Sequence, residues 1–358
     1  MKKAAFYLLL VFATVVVCEL GLQGLYVFIK GKFVWERDEF RVRDFTQRVN
    51  DGRYITAKPS YQNASYEEGA ASWDIAIDSH GFRVGSNSPS DERGNIAFIG
   101  DSVPFGYGVG SKDTVPSQLQ GILRERHDPR GVINAAIPSY SLDQAVQRFR
   151  YELAGHYNID SVILQVYDPA SQFAQLGWEW DVTKNWTTTP VWEGTTPLLR
   201  YSALWHILYY HLYDVYIFSS DRLRIDDEAA ISRYVLSIND SLDMLSQDAK
   251  GRVRTIIILP ATLPPATWVN LSEPQRVARR MLNQTLKRFT ERHSETQFID
   301  TNALFASDPD DRAFIDECCH LSREGAARVA TVLAANLPAP TLPQSQVKAL
   351  SPGPLVRL

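Results

Sequence analysis

Residues 95–99, Asn-Ile-Ala-Phe-Ile, form a short apolar run that stops abruptly at Gly100-Asp101-Ser102. A run of this length and branching predicts a buried strand, and the glycine breaks it where a parallel sheet presents its C-terminal edge. Further strands are predicted at 132–134, 161–166, 253–259 and 297–300, with helices at 115–127, 142–156 and 274–293 and a closing helix from Arg323 to before Pro338. Apolar strands alternating with amphipathic helices predict an α/β fold, a three-layer α/β/α sandwich around a central parallel sheet. In open sheets of this kind ligands bind beyond the C-terminal edge. Ser102 is delivered to that edge, where it can act as a nucleophile if a base lies within reach.

The far end of the chain supplies one. Residues 314–322 read Phe-Ile-Asp-Glu-Cys-Cys-His-Leu-Ser, placing Asp316 and Glu317 just before His320. Serine needs a base to take its proton, and the base needs a carboxylate to fix its tautomer and stabilise the imidazolium. An acid and a histidine three or four residues apart can share one loop and face the serine together. Either Asp316 or Glu317 can be that carboxylate.

Together the two motifs resemble those of the SGNH, or GDSL-type, hydrolases. In that family the nucleophilic serine follows the first strand in Gly-Asp-Ser, and the Asp and His come late in Asp-x-x-His. The resemblance covers roughly residues 75–336 and implies a flavodoxin-like sheet order. The stretch 77–83, Ile-Asp-Ser-His-Gly-Phe-Arg, is similar to the approach to the nucleophile strand in membrane-linked members. Residues 106–109, Gly-Tyr-Gly-Val, resemble the turn after their serine, and 132–140, Val-Ile-Asn-Ala-Ala-Ile-Pro-Ser-Tyr, resemble their second block. The resemblance implies catalysis by Ser102, His320 and Asp316, and an oxyanion hole at Ser102, Ser139 and Tyr167. Two of these positions depart from the family pattern. Ser139 stands where the family has a glycine, and Tyr167 where it has an asparagine; the third block here reads Gln165-Val-Tyr-Asp168. The implied activity is a serine esterase or O-acyltransferase acting on an acyl ester, with O-acetylated envelope polysaccharide as a substrate class. The alternative is a non-catalytic glycan-binding scaffold.

The N-terminus is a separate unit. Lys2-Lys3 precedes an apolar run from Ala4 to Cys18, and Glu19 and Gln23 interrupt before a second run ends at Ile29. The first run spans about 22 Å as a helix, short of the roughly 30 Å hydrocarbon core, whereas extension to Ile29 gives about 39 Å. An uncleaved signal-anchor through residues 4–29 is favoured over a cleaved signal peptide, because no small-x-small site follows the run. The domain beyond it is then expected in the periplasm or outside the cell. The expected organisation is an anchor at 1–30, a charged, irregular stalk or wrapping segment at 31–74, the catalytic domain at 75–337 and a disordered proline-rich tail at 338–358.

Within that domain, residues 169–250 form an insertion rich in aromatic residues, among them Trp178, Trp180, Trp186, Trp192 and Trp205. Helical spacing is predicted from Tyr201 to Phe218. Such residues suit packing on the sheet, a lid or sugar-stacking platform, or the bilayer interface beside the anchor. The net charge of −4, with no basic stripe, argues against a nucleic-acid partner. Cysteines occur only at 18, 318 and 319, which excludes a disulfide framework, and the adjacent pair reads as two small buried thiols. The remaining histidines, at 80, 127, 156, 206, 211 and 293, lack metal-ligand spacing, and no cofactor is implied.

Overall fold

In the computed structural model of the chain, residues 2–31, 33–36, 45–53, 55–68, 71–85, 94–166, 201–205, 207, 228–306 and 312–340 are described. Five strands form one parallel sheet: β5 (Asn95–Ile99), β6 (Gly131–Asn134), β7 (Ile159–Gln165), β8 (Thr255–Leu259) and β9 (Thr296–Phe298). Their spatial order is β6-β5-β7-β8-β9. The chain leaves β5 toward one side to form β6 and returns to form β7 on the other. The C-terminal end of β5 is therefore the point where strand order reverses, and such a crevice is where open α/β sheets bind ligands.

Alternate residues of each strand feed opposite faces. Ile96 and Phe98 of β5 join Val132, Ile163, Ile257 and Leu259 on one face. Ala97 and Ile99 join Ile133, Val162, Leu164, Ile256 and Ile258 on the other. The first face is covered by α3 (Val115–Glu125) and α8 (Arg323–Asn336), which pack together. The second is covered by α4 (Leu142–Arg148), α5 (Glu228–Ala249) and α7 (Glu273–Arg292). The inner strands β5, β7 and β8 carry apolar residues on both sides because helices bury both, whereas the edge strand β9, Thr-Gln-Phe, is only partly buried; this gives the three-layer α/β/α sandwich.

Several elements differ from expectation. The segment 31–74 is not irregular throughout. It carries two antiparallel pairs, β1 (Thr46–Arg48) with β2 (Ile55–Ala57) and β3 (Gln62–Glu68) with β4 (Ala71–Ala76). Phe45, Ala57, Trp73 and Ile75 enter the core from this region, and the Phe45 ring stacks on Phe105 at 5.2 Å. These residues belong to the α/β domain, and the boundary expected at residue 75 falls inside β4. The helix expected over 142–156 is α-helical only to Arg148. It then widens into a π-helical turn at Phe149–Leu153, which carries Glu152 against Arg148, Arg53 and Thr56. The long α5 lies at the end of the 169–250 insertion, where no helix was anticipated. Trp178, Trp180, Trp186, Trp192, most of 201–218 and the tail from residue 341 fall outside the described residues.

α1 (Lys2–Lys30) is a single helix, long and apolar enough to cross a membrane over Lys3–Ile29. Its residues from Phe6 to Val17 are exposed, so the α/β domain does not cover them.

Candidate active site

The turn after β5 is set by sterics and capping. Gly100 has φ of +148°, and a Cβ there would lie 2.9 Å from the Pro104 side chain and 3.0 Å from Gln165. Only glycine lets the chain turn so closely against β7. Asp101 then caps the short helix α2 (Ser102–Phe105), its Oδ1 accepting the Val103 N–H at 2.9 Å. Ser102 opens the helix and is buried.

Two side chains hold the far end of α2. Asn134, at the end of β6, donates to the Pro104 carbonyl at 2.9 Å. The buried Arg83 guanidinium donates to the carbonyls of Phe105 (2.5 Å), Gly106 (2.7 Å), Val109 (2.8 Å) and Asp74 (3.0 Å). Helix C-termini leave carbonyls without intrahelical partners, and Arg83 supplies donors to them from inside the protein. Burial lowers Arg83 to about 9, with the Asp74 charge acting against the shift. The turn that Arg83 fixes carries Tyr107, whose ring lies 4.3 Å from that of His320. Arg83, Asn134 and Tyr107 had no role in the sequence reading. The blocks containing them were visible as resemblances, but their contacts were not.

The other half of the site is the loop 313–322. Phe314 and Leu321 pair across it, the Ser322 N–H donates to the Ala313 carbonyl at 2.8 Å, and Ser322 caps α8. Gly325 packs against this hairpin so closely that a Cβ would lie 2.1 Å from the Ala313 oxygen. At the tip, Asp316 Oδ1 accepts the N–H groups of Cys318 (3.0 Å), Cys319 (3.1 Å) and His320 (3.2 Å). Its Oδ2 meets His320 Nδ1 in a short hydrogen bond. His320 Nε2 in turn lies 2.8 Å from Ser102 Oγ.

Of the two candidate acids, the structure brings Asp316 to the histidine. Glu317 is exposed, and its carbonyl accepts the Thr267 hydroxyl at 2.5 Å. Cys319 is buried and Cys318 half-buried; neither is in a disulfide, and their Sγ atoms lie 2.8 Å apart. The Cys318 thiol, burial and the Asp101 and Asp316 charges together push the Cys319 thiol well above its ordinary range, so it stays protonated. Ser139 is half-buried with φ of +67°, the left-handed region in which glycine is at ease. Among the described residues its N–H has no hydrogen-bond partner. Tyr167 lies outside the described residues.

The electrostatics couple the three groups. Burial opposes charge on His320, but the hydrogen bond and charge of Asp316 outweigh it and raise the imidazole above its ordinary value. Burial likewise pushes Asp316 upward, yet the His320 partner and the loop N–H groups hold its carboxyl below the usual range. Asp101 is different. Its burial dominates and lifts it to about 7, against the Val103 N–H and the charge on His320. Chemically the arrangement is a hydroxyl, a base on it and an acid fixing the base, with two carboxyl groups of opposite tendency on either side.

No family model matches the sequence, and no curated protein does. Solved structures with a related fold include an acetyl xylan esterase from Geobacillus stearothermophilus, at 15% identity and a TM-score of 0.45 over 70% of this chain and 98% of that one. Another is an alpha/beta hydrolase enzyme from the metagenome of Lake Arreo, Spain, at 14% and 0.44 over 69% and 95%. A third is a member of the lipolytic protein G-D-S-L family from Veillonella parvula, at 12% and 0.43 over 68% and 97%.

Proposed function

We propose that this chain is a membrane-anchored serine esterase of the SGNH type, acting on acyl esters through Ser102, His320 and Asp316. The observation that carries this reading is the pair of contacts on one imidazole, Nε2 at 2.8 Å from Ser102 Oγ and Nδ1 on Asp316. With Asp316 accepting from Nδ1–H, the lone pair of neutral His320 sits on Nε2 and faces the serine. Ser102 Oγ attacks the ester carbonyl as His320 takes its proton, and the tetrahedral oxyanion is received by the backbone N–H groups of Ser102 and Ser139. His320 then gives that proton to the departing alkoxide, leaving an acyl-serine and a free alcohol. Water, or a sugar hydroxyl in an acyl transfer, repeats the two steps in reverse order and frees the serine.

O-acetylated envelope polysaccharide is the substrate class we favour, because a domain anchored through α1 on the periplasmic or outer side of a membrane would meet such a polymer. The acetyl xylan esterase likeness is consistent with an acetyl ester. The test uses the purified full chain in detergent, a fluorophosphonate probe and short-chain nitrophenyl esters, with water and oligosaccharide acceptors assayed in parallel. Covalent labelling of wild type and none of Ser102→Ala is expected, with turnover lost in the variant. Absence of labelling in folded wild type overturns the enzyme reading and leaves the glycan-binding alternative.

A further inference from the structure

Besides Thr14, whose hydroxyl donates to its own helix, α1 carries Glu19 and Gln23 within its apolar length, one turn apart on the same face. Both are engaged by parts of the chain remote in sequence. Glu19 Oε1 accepts the Ala203 N–H at 2.7 Å, and its Oε2 accepts the Leu204 N–H at 3.0 Å and the Ser202 hydroxyl at 2.7 Å. Gln23 Nε2 donates to Glu19 Oε1 at 2.7 Å and to the Tyr201 carbonyl at 3.0 Å. Gln23 Oε1 accepts the Val34 N–H at 3.2 Å. Ser202 Oγ accepts the Trp205 N–H at 3.0 Å, closing the turn 202–205. Gln23 is 5% exposed, in contrast to the bare apolar residues below it.

Depth follows from helix geometry. From Lys3 to Gln23 the helix rises about 30 Å, the thickness of the hydrocarbon core. Gln23 therefore lies where a hydrocarbon core counted from Lys3 would end, with exposed Leu25, Phe28 and Ile29 completing the apolar length beyond it, and Glu19 lies one turn further in. An ionisable group at that depth is costly unless it is paired, and here its partners are the turn's own N–H and O–H groups. At the level of Gln23 the surface is aromatic. Phe33 and Trp35 flank Val34, stack at 4.4 Å and are 40% and 42% exposed, and Tyr201 is 58% exposed. Aromatic rings with such exposure belong at the headgroup boundary.

We propose that Glu19 and Gln23 latch the turn 202–205 onto the spanning helix at the headgroup–acyl boundary, where Tyr201, Phe33 and Trp35 contact phospholipid. The partner is the bilayer itself. The turn 202–205 of the insertion is a second membrane contact, and the α/β domain is held against the lipid surface at two points instead of one. This inference rests on the reading of α1 as an anchor and is independent of the chemistry at Ser102.

The test uses the full chain in phosphatidylethanolamine–phosphatidylglycerol vesicles containing a phospholipid with a diazirine in the acyl chain near the glycerol. After irradiation, digestion and mass spectrometry, lipid adducts are expected on peptides from 4–18 and also on those holding 33–36 and 201–207. Glu19→Leu removes the acceptors, so adducts at 201–207 are lost while those at 4–18 stay. Glu19→Gln keeps an acceptor oxygen and retains them. An unchanged thermal melt of Glu19→Leu excludes global unfolding as the cause of the loss. Adducts at 4–18 without any at 201–207 in wild type overturn the latch alone, as does their persistence in Glu19→Leu. No adducts at 4–18 overturn the anchor and the latch together.

Discussion

Ser102 and His320 meet at 2.8 Å, but the two halves of the molecule that bring them there are built differently. The serine half is held by the fold. Its strand is buried on both faces, its turn admits only glycine at position 100, and Asn134 and Arg83 grip the carbonyls at the end of α2. The histidine half is a small hairpin whose tip depends on one carboxylate: both oxygens of Asp316 are spent on residues 318–320. Stability is therefore concentrated beneath the nucleophile, whereas geometry at the base depends on a single side chain. Mutations in the two halves should separate activity from folding.

The largest effect is expected at Asp316. Asp316→Asn removes the negative partner of His320 and favours the wrong tautomer, so kcat for a nitrophenyl ester should fall by about 10⁴, as in other triads of this type. Because Asp316 raises His320, the neutral base of wild type accumulates only above the ordinary histidine value of 6.5, and kcat/KM should climb with pH through a midpoint above it. In Asp316→Asn that midpoint should move down, since burial alone lowers an imidazole. Urea unfolding of the variant should stay close to wild type; a large loss of stability would break the contrast between the halves.

Arg83→Met reverses the pattern. Methionine fills part of the space but leaves the carbonyls of Phe105, Gly106 and Val109 without this donor, and a buried group stripped of its partner costs about 1–3 kcal/mol. The urea midpoint should drop markedly, and hydrogen exchange at 105–109 should accelerate. An Arg83→Met protein as stable as wild type would show that the nucleophile turn is held by its strand alone.

The smallest expected effect lies at Ser139. Its left-handed φ costs a non-glycine residue about 1–2 kcal/mol, so Ser139→Gly should raise the free energy of unfolding in urea by up to that amount and shift the midpoint upward. The backbone N–H is kept, so kcat/KM should not fall. A clear loss of rate would give the Ser139 hydroxyl a part in the site that its N–H does not explain.

What could be read from the amino acids follows the same division. The run 95–99 and its glycine identify a buried strand and a turn because burial on both faces leaves a continuous apolar signature. The acid was less legible. The Asp-x-x-His spacing of the resemblance points to position 317, yet Asp316 is the residue that meets His320, because a short carboxylate can reach back to its own loop's N–H groups. Arg83 left no signal as a contact, since its partners are main-chain carbonyls up to 26 residues away and carbonyls carry no side-chain code. The hairpins at 46–76 were hidden for another reason. Their strands are short, and only a few residues such as Trp73 and Ile75 face inward.

Ser102 and His320 are 218 residues apart in the chain. At synthesis rates of about 5–20 residues per second, the serine emerges some 10–40 s before its base. During that interval the nascent chain carries a hydroxyl no more reactive than any other serine. Competence arrives only when the hairpin at 313–322 and the glycine-seated last helix close over the sheet. A chain ending before residue 320 lacks both His320 and the last helix that buries one face of the sheet, and is expected to be chemically silent.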